Sequence, residues 1–217
     1  MLESIVGRSR ALACEAKLVI LHHLCSLGEL GAGEVAERTA MHPGLASKHL
    51  AGLVVVGLAQ RRRSGGRVYY DVAVHAAADP GFCTAKLVWR ALCEPEWATS
   101  GWRVDHLTHL SEGTAGRLPS RIARVADVIF DAATAFGDVR RLQVFRLLNE
   151  RGRCGAATIV KELRMSLPAC SRHTDKLRRR GFAREVEPGI WALAQKQRSR
   201  FHGALGREVL RQLADQR

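Results

Sequence analysis

The chain repeats itself, and this limits what it can fold into more than any other feature. Displaced by about 124 positions, it meets its own sequence without a gap. Leu18, Leu24, Gly28, Gly31, Ala32, Met41, Ser47, His49, Leu53, Gly57 and Ala59 fall on Leu142, Leu148, Gly152, Gly155, Ala156, Met165, Ser171, His173, Leu177, Gly181 and Ala183. Between the identities the apolar character is mostly kept: Ile20 meets Val144, Val35 meets Ile159, and Leu58 meets Phe182. Register held over some forty residues, with matched glycines, indicates a duplicated domain rather than a short-period solenoid. A length of 217 residues has room for two domains of about 80–100 each. The expected division is 1–79, an insert at 80–119, and 120–217.

Within the first copy, helices are expected at 2–15, 16–27 and 33–40. The stretch GLASKHLAGLVVVG from Gly44 to Gly57 follows. His42-Pro43 opens it as a helix start, since proline suits the first turn. Ala46, Leu50 and Leu53 recur at helical spacing as one apolar stripe. Gly44, Ser47, Lys48 and His49 offer small, hydrogen-bonding or cationic groups elsewhere on the helix. Gly57 ends it. Such a helix suits a DNA major groove; alone, it reads equally well as an ordinary amphipathic surface helix. A basic strand with Arg61, Arg62 and Arg63, a Gly65-Gly66 turn, Arg67 and a return strand through Val72 make a hairpin. Helices followed by this hairpin describe a winged helix-turn-helix. The arginines would meet phosphates or a minor groove, the alternative being a solvated edge protected by charge.

Charge supports a polyanionic partner. The net charge is +13, distributed unevenly. Residues from Arg121 onward carry 21 Lys+Arg against 10 Asp+Glu, and the first 120 carry 13 against 11. The second copy should therefore supply more of the nonspecific phosphate attraction. No apolar run approaches the length of a membrane span, and the N-terminus lacks a signal-peptide core. The six cysteines form no CxxC pair. They are expected to be reduced thiols in a cytoplasmic protein, here a nucleoid-associated bacterial one.

The run ILHHLCSLGELGAGEVAERTAMHPGLASKHLAGLVVVGLAQRRRSGGRVYY resembles the ArsR/SmtB family of bacterial transcriptional repressors. The likeness lies in Gly28-Glu29, Val35-Ala36, Ser47-Lys48-His49-Leu50, Gly57-Leu58 and Val68-Tyr69-Tyr70. It covers about residues 11–75. Lys48 departs from the family's usual Ser-Arg-His-Leu. The resemblance implies a dimeric, operator-binding protein whose DNA affinity responds to a metal, a thiol reaction or a small molecule. The arsenic-type cysteines are absent, because Gly31-Ala32-Gly33-Glu34-Val35 stands in their place. The zinc-type pattern is not found in 80–112. Some family members pair a cysteine on an early helix with one on the last; Cys25 and Cys93 match that outline.

The insert belongs to neither copy. Phe82 to Glu94 is expected to be helical, with Pro95 breaking it, and Trp97 to Leu110 suggests more helix. Trp89, Trp97 and Trp102 read as interface core or as the lining of a ligand pocket. Cys83 and Cys93 would lie about 15 Å apart on one helix, too far to share an ion. His106, His109 and Glu112 share a helix face, either as a metal site or, more simply, as solvated polar groups.

The second copy begins near Arg121. Ser166 is a good N-cap for its reader helix. Cys170, Thr174 and Leu177 form the inward stripe. Ala169, Ser171, Arg172, His173 and Lys176 lie outward, followed by Arg178 and Arg179. Its hairpin carries Glu185 and Glu187 instead of wing arginines. Phe201 to Leu213 closes the chain as a helix.

These readings converge on a mainly α fold with small β-hairpin wings: two tandem winged helix-turn-helix domains joined by a helical insert. The expected function is sequence-specific binding of double-stranded DNA as a transcriptional regulator; the resemblance implies repression. A small-molecule effector is a candidate partner; no cofactor or metal is assigned. Either two chains form a homodimer, which the unpaired insert and terminal helix favour, or one chain forms an intrachain pseudo-dimer. A tandem winged-helix scaffold binding protein is the alternative. No HExxH, GxSxG, P-loop or dinucleotide fingerprint points to an enzyme.

Overall fold

The computed structural model describes residues 2–74, 82–103, 110–111 and 117–215. The His106, His109 and Glu112 face lies outside the described residues. The chain is mainly helical, with two small antiparallel sheets. The first part runs α1 (Leu2–Leu12), α2 (Glu15–Leu27), β1 (Leu30–Gly31), α3 (Ala32–Arg38), α4 (Pro43–Val55), β2 (Ala59–Ser64), β3 (Arg67–Val72) and α5 (Phe82–Cys93). A short α6 (Pro95–Thr99) follows. The same order then recurs as α7 (Ser120–Thr134), α8 (Val139–Arg151), β4 (Arg153–Gly155), α9 (Ala156–Leu163), α10 (Leu167–Arg179), β5 (Ala183–Glu187), β6 (Ile190–Leu193) and α11 (Arg200–Ala214).

The displacement of 124 that aligns the sequence carries α2 onto α8 and α4 onto α10, end for end. The matched glycines explain themselves at these ends. Gly28 and Gly152 follow α2 and α8 at φ 77° and 72°, and Gly57 and Gly181 stand just beyond α4 and α10 at 72° and 73°. Side chains with a Cβ adopt that region at a cost. At Gly181 a Cβ would also sit 2.7 Å from Arg198 Cγ.

Each sheet has one order, β1-β3-β2 and β4-β6-β5. The wing hairpins are readable in sequence; the short edge strands β1 and β4, each paired only with the return strand of its wing, are not. Leu30 pairs with Tyr70, and Cys154 with Trp191. Two further differences are local. The first helix stops at Leu12, and Cys14 becomes the residue preceding α2. Pro95 ends α5 but also opens α6, where its missing N–H and fixed φ suit a first turn.

The first core gathers Leu18, Leu21 and Leu24 of α2, Val35 of α3, and Ala46, Leu50 and Leu53 of α4, all buried. The second is built around three rings, Phe136, Phe145 and Phe182, with centroids 4.6–6.0 Å apart. Thr174 stands where the first copy has Leu50. Its buried hydroxyl donates to the Cys170 carbonyl at 3.0 Å, so the polar group is satisfied within its own helix.

The flanking helices of the two copies pack on one another. α1 lies against α7 and α8, and α5 and α6 lie against both α7 and α11. Buried polar groups cross this seam. Arg8 Nη2 of α1 donates to Gln212 Oε1 of α11 at 2.6 Å, and Gln212 Nε2 donates to Thr84 Oγ1 of α5 at 3.3 Å. Arg10 Nε reaches the Gly137 carbonyl at 3.0 Å.

Candidate nucleic-acid interface

In α4, His42 Nδ1 accepts the Gly44 N–H at 3.2 Å, and Pro43 occupies the first turn. This satisfies one of the amide donors that a helix start leaves over. With Ala46, Leu50 and Leu53 turned inward, Gly44, Ser47, Lys48 and Ala51 are exposed and His49 is half-buried. Burial, then the charges of Lys17 and Lys48, push the His49 imidazole below its usual range and favour its neutral form. The face is less polar than the sequence suggests: Leu45 is 45% and Val55 85% exposed.

On the adjacent hairpin, alternation places Arg61 and Arg63 on one face of β2 and Arg62 on the other. All four wing arginines are exposed, but they are not equivalent. Arg62 makes a two-pronged ion pair with Glu29, Nε to Oε1 at 2.8 Å and Nη2 to Oε2 at 2.6 Å. It also lies 5.6 Å from the Tyr69 ring centroid. Its charge is already matched. Arg61, Arg63 and Arg67 have no ion-pair partner among the described residues, and they carry the wing's available charge around the Gly65-Gly66 tip.

In the second candidate helix, α10, Ser166 Oγ accepts the Ala169 N–H at 3.3 Å, the expected N-cap. Cys170, Thr174 and Leu177 are buried, and Ser171 and Arg172 are exposed. His173 is half-buried, with Nδ1 3.8 Å from Asp138 Oδ1. Burial lowers its pKa, and the Asp138 charge opposes that only in part. Lys176 is half-buried as well; desolvation, then Arg180 and Arg141, lower its pKa. The basic end of the helix is partly neutralised, because Asp175 holds Arg178 Nη2 and Arg179 Nε at 2.6 Å each. Arg172 is thus the exposed cation of the helix without an ion pair among the described residues.

Arg180 turns inward and belongs to a buried network that sequence reasoning missed. It pairs with Asp131 of α7, which is fully buried. Arg198 Nη1 lies 3.4 Å from Asp131 Oδ2, and His202 Nε2 of α11 donates to the same oxygen at 2.9 Å. Ser199 Oγ bonds His202 Nδ1 at 2.9 Å. Burial alone would raise the Asp131 pKa; the His202 hydrogen bond and the Arg180 charge outweigh it and hold the carboxyl well below its usual range. The sequence carries one signal of this site, an aspartate on the apolar side of an amphipathic helix. A Ser-His-Asp series invites comparison with a hydrolase triad, but Ser199, His202 and Asp131 are 3%, 0% and 0% exposed. With the imidazole and the carboxylate fully enclosed, the series ties the end of α10 to α7 and α11.

Wing two follows expectation. Glu185 Oε1 accepts the Gly189 N–H at 2.7 Å and closes the turn, and Glu187 lies 3.6 Å from Arg153.

The effector candidates separate. Cys25 is half-buried; burial, then Cys93 and Asp71, push its thiol well above the ordinary range. Cys93 is exposed, its thiol raised by burial and Glu94. The Cys93 thiol contributes to the shift at Cys25, and both thiols favour the less reactive protonated form. Trp89 is 39% exposed. Trp97 carries the Arg90 guanidinium 4.4 Å from its ring centroid, and Trp102 stacks on His202 at 5.4 Å. The three indoles therefore do not share one environment. Among the described residues no group of three or more His, Cys, Asp or Glu is placed to hold a metal ion, and no helix is long and apolar enough to cross a membrane.

Over 57 residues the chain is 35% identical to an uncharacterized HTH-type transcriptional regulator of Methanocaldococcus jannaschii. The aligned stretch is 26% of this chain and 64% of that protein. No protein-family model matches the chain, and no solved structure matches it. The likeness is therefore to a helix-turn-helix regulator in general.

Proposed function

We propose that the chain is a DNA-binding transcriptional regulator, acting as a repressor, built from two fused winged helix-turn-helix units of ArsR type at 1–79 and 120–217, with 80–119 between them. The observation that carries the reading is the recurrence of a capped helix beside a hairpin, with exposed polar or cationic groups in both copies. Phosphates would be met by Arg61, Arg63 and Arg67 on the first wing. Base edges would be met chiefly by Ser171 and Arg172 on α10. The likeness to an HTH-type regulator supports the same class. The seam formed by α1, α5, α7 and α11 supports an intrachain pseudo-dimer: each copy brings its two flanking helices, and they pack within one chain. The reading is non-catalytic and places the protein in the cytoplasm with the nucleoid.

Fluorescence anisotropy with duplex DNA tests it. Binding should weaken steeply with salt, and Arg172→Ala should lower operator affinity by about tenfold, within the ~1–3 kcal/mol of one good base contact. Unchanged affinity of that variant would remove α10 as a reader.

A second reading has its own support. Leu45 and Val55 leave apolar surface on α4, as a helix docking on protein would. On that reading α4 substitutions alter partner capture, and random duplex shows no salt-dependent binding.

A further inference from the structure

We infer that the open groove between α6, the segment before α11, and α11 itself is a binding site for a small aromatic carboxylate. The groove is about 510 Å³, within the size range of small-ligand sites. Its lining contains Arg200 and Arg207 and no carboxylate. Both guanidiniums are exposed, and neither has an ion-pair partner among the described residues. The adjacent acid, Glu208, is already engaged by Arg211 at 2.8 Å and 3.0 Å and by Gln212 at 2.6 Å. Two such forks with no resident counter-ion suit a carboxylate.

The rest of the lining narrows the ligand. Trp97 lines the groove as a half-buried ring; the Arg90 guanidinium lies over one face of it, so a flat ligand ring would stack on the other. Gln197 donates its amide to the Ala194 carbonyl at 2.9 Å, but its Oε1 is buried with no hydrogen-bond partner. A ring hydroxyl or N–H would satisfy that acceptor after a small rotation. Gly203 keeps the floor low: a Cβ there would contact Arg207 Nη1 at 3.4 Å and Gln197 Cγ at 3.5 Å.

The site is connected to the proposed reader. Ser199, in the lining, caps α11 and bonds His202; His202 bonds Asp131; Asp131 holds Arg180 at the end of α10. That occupancy alters DNA binding rests on the proposed function. That the groove binds a ligand does not.

Calorimetry on the full chain without DNA tests the site directly, using 4-hydroxybenzoate, its neutral analogue 4-hydroxybenzyl alcohol, and inorganic phosphate. The carboxylate should bind saturably and at least about tenfold more tightly than the alcohol. Arg207→Ala should weaken it by about tenfold at unchanged melting temperature, Arg207→Lys by less, and Trp97→Leu should also weaken it. No saturable binding, equal affinity for the alcohol, full competition by phosphate, or an unaffected Arg207→Ala protein would each overturn the site. Anisotropy repeated with saturating carboxylate then reads the coupling separately, as a shift in DNA affinity.

Discussion

At the residue scale, charge count and available charge differ. Arg178 and Arg179 look like a phosphate grip in sequence, yet both are held by Asp175. That pairing was legible, since it follows the three- and four-residue spacings that bring helix side chains together. Arg62 was not legible in the same way, because its partner Glu29 lies across the fold. Asp175→Asn should release both helix arginines, tighten nonspecific DNA binding and steepen the salt dependence by about 1–2 in slope, as a salt titration would read. Asp131 presents the opposite case, a buried carboxylate whose counter-charges come from α11 and the turns around wing two. Asp131→Asn should cost roughly 3–5 kcal/mol in denaturant unfolding, because Arg180 and Arg198 lose their anion. Its lowered native pKa sets the sign of the pH effect. The stabilisation is fully present above the unfolded value of about 3.9 and is lost as pH falls toward the native one. Acid unfolding curves of the variant should lack that part of the loss below about pH 4.

At the element scale, periodicity and punctuation revealed most of the helices and both hairpins. α4 and α10 were readable because each has a start signal, an inward stripe and a terminal glycine. β1 and β4 were not, since a strand of two or three residues is too short to alternate and exists only by pairing with the returning wing strand. The wings also divide labour in a way the sequence discloses: the first presents arginines, while the second spends its acids on its own turn and on Arg153. Replacing Arg61, Arg63 and Arg67 together by alanine should weaken binding to all duplexes alike and reduce the salt slope by about 3. A loss confined to one operator would instead make this wing a reader of sequence.

At the molecular scale, the duplication was plain in the sequence, but its assembly was not. The sequence favours two chains because the insert and terminal helix have no assigned partners there; in the fold α5 and α6 lie on α11 and α1 on α7, an intrachain packing that is compatible with either assembly. Helix faces announce that they will be buried, not against which copy. If the seam is a complete pseudo-dimer interface, light scattering should give one chain, near 23.9 kDa, at micromolar concentration. It should also give one protein per duplex, and a mass near twice that value would instead support paired chains.

The residue-for-residue correspondence of α4 and α10 within a single polypeptide has an evolutionary corollary. In a protein made of two identical subunits, any mutation in the reader appears on both sides of the target at once, so the recognised sequence must change symmetrically. Here Lys48 can alter without Arg172, and Arg172 without Lys48. On the proposed reading, each end of the target is free to drift on its own, and selected binding sites should be lopsided rather than palindromic.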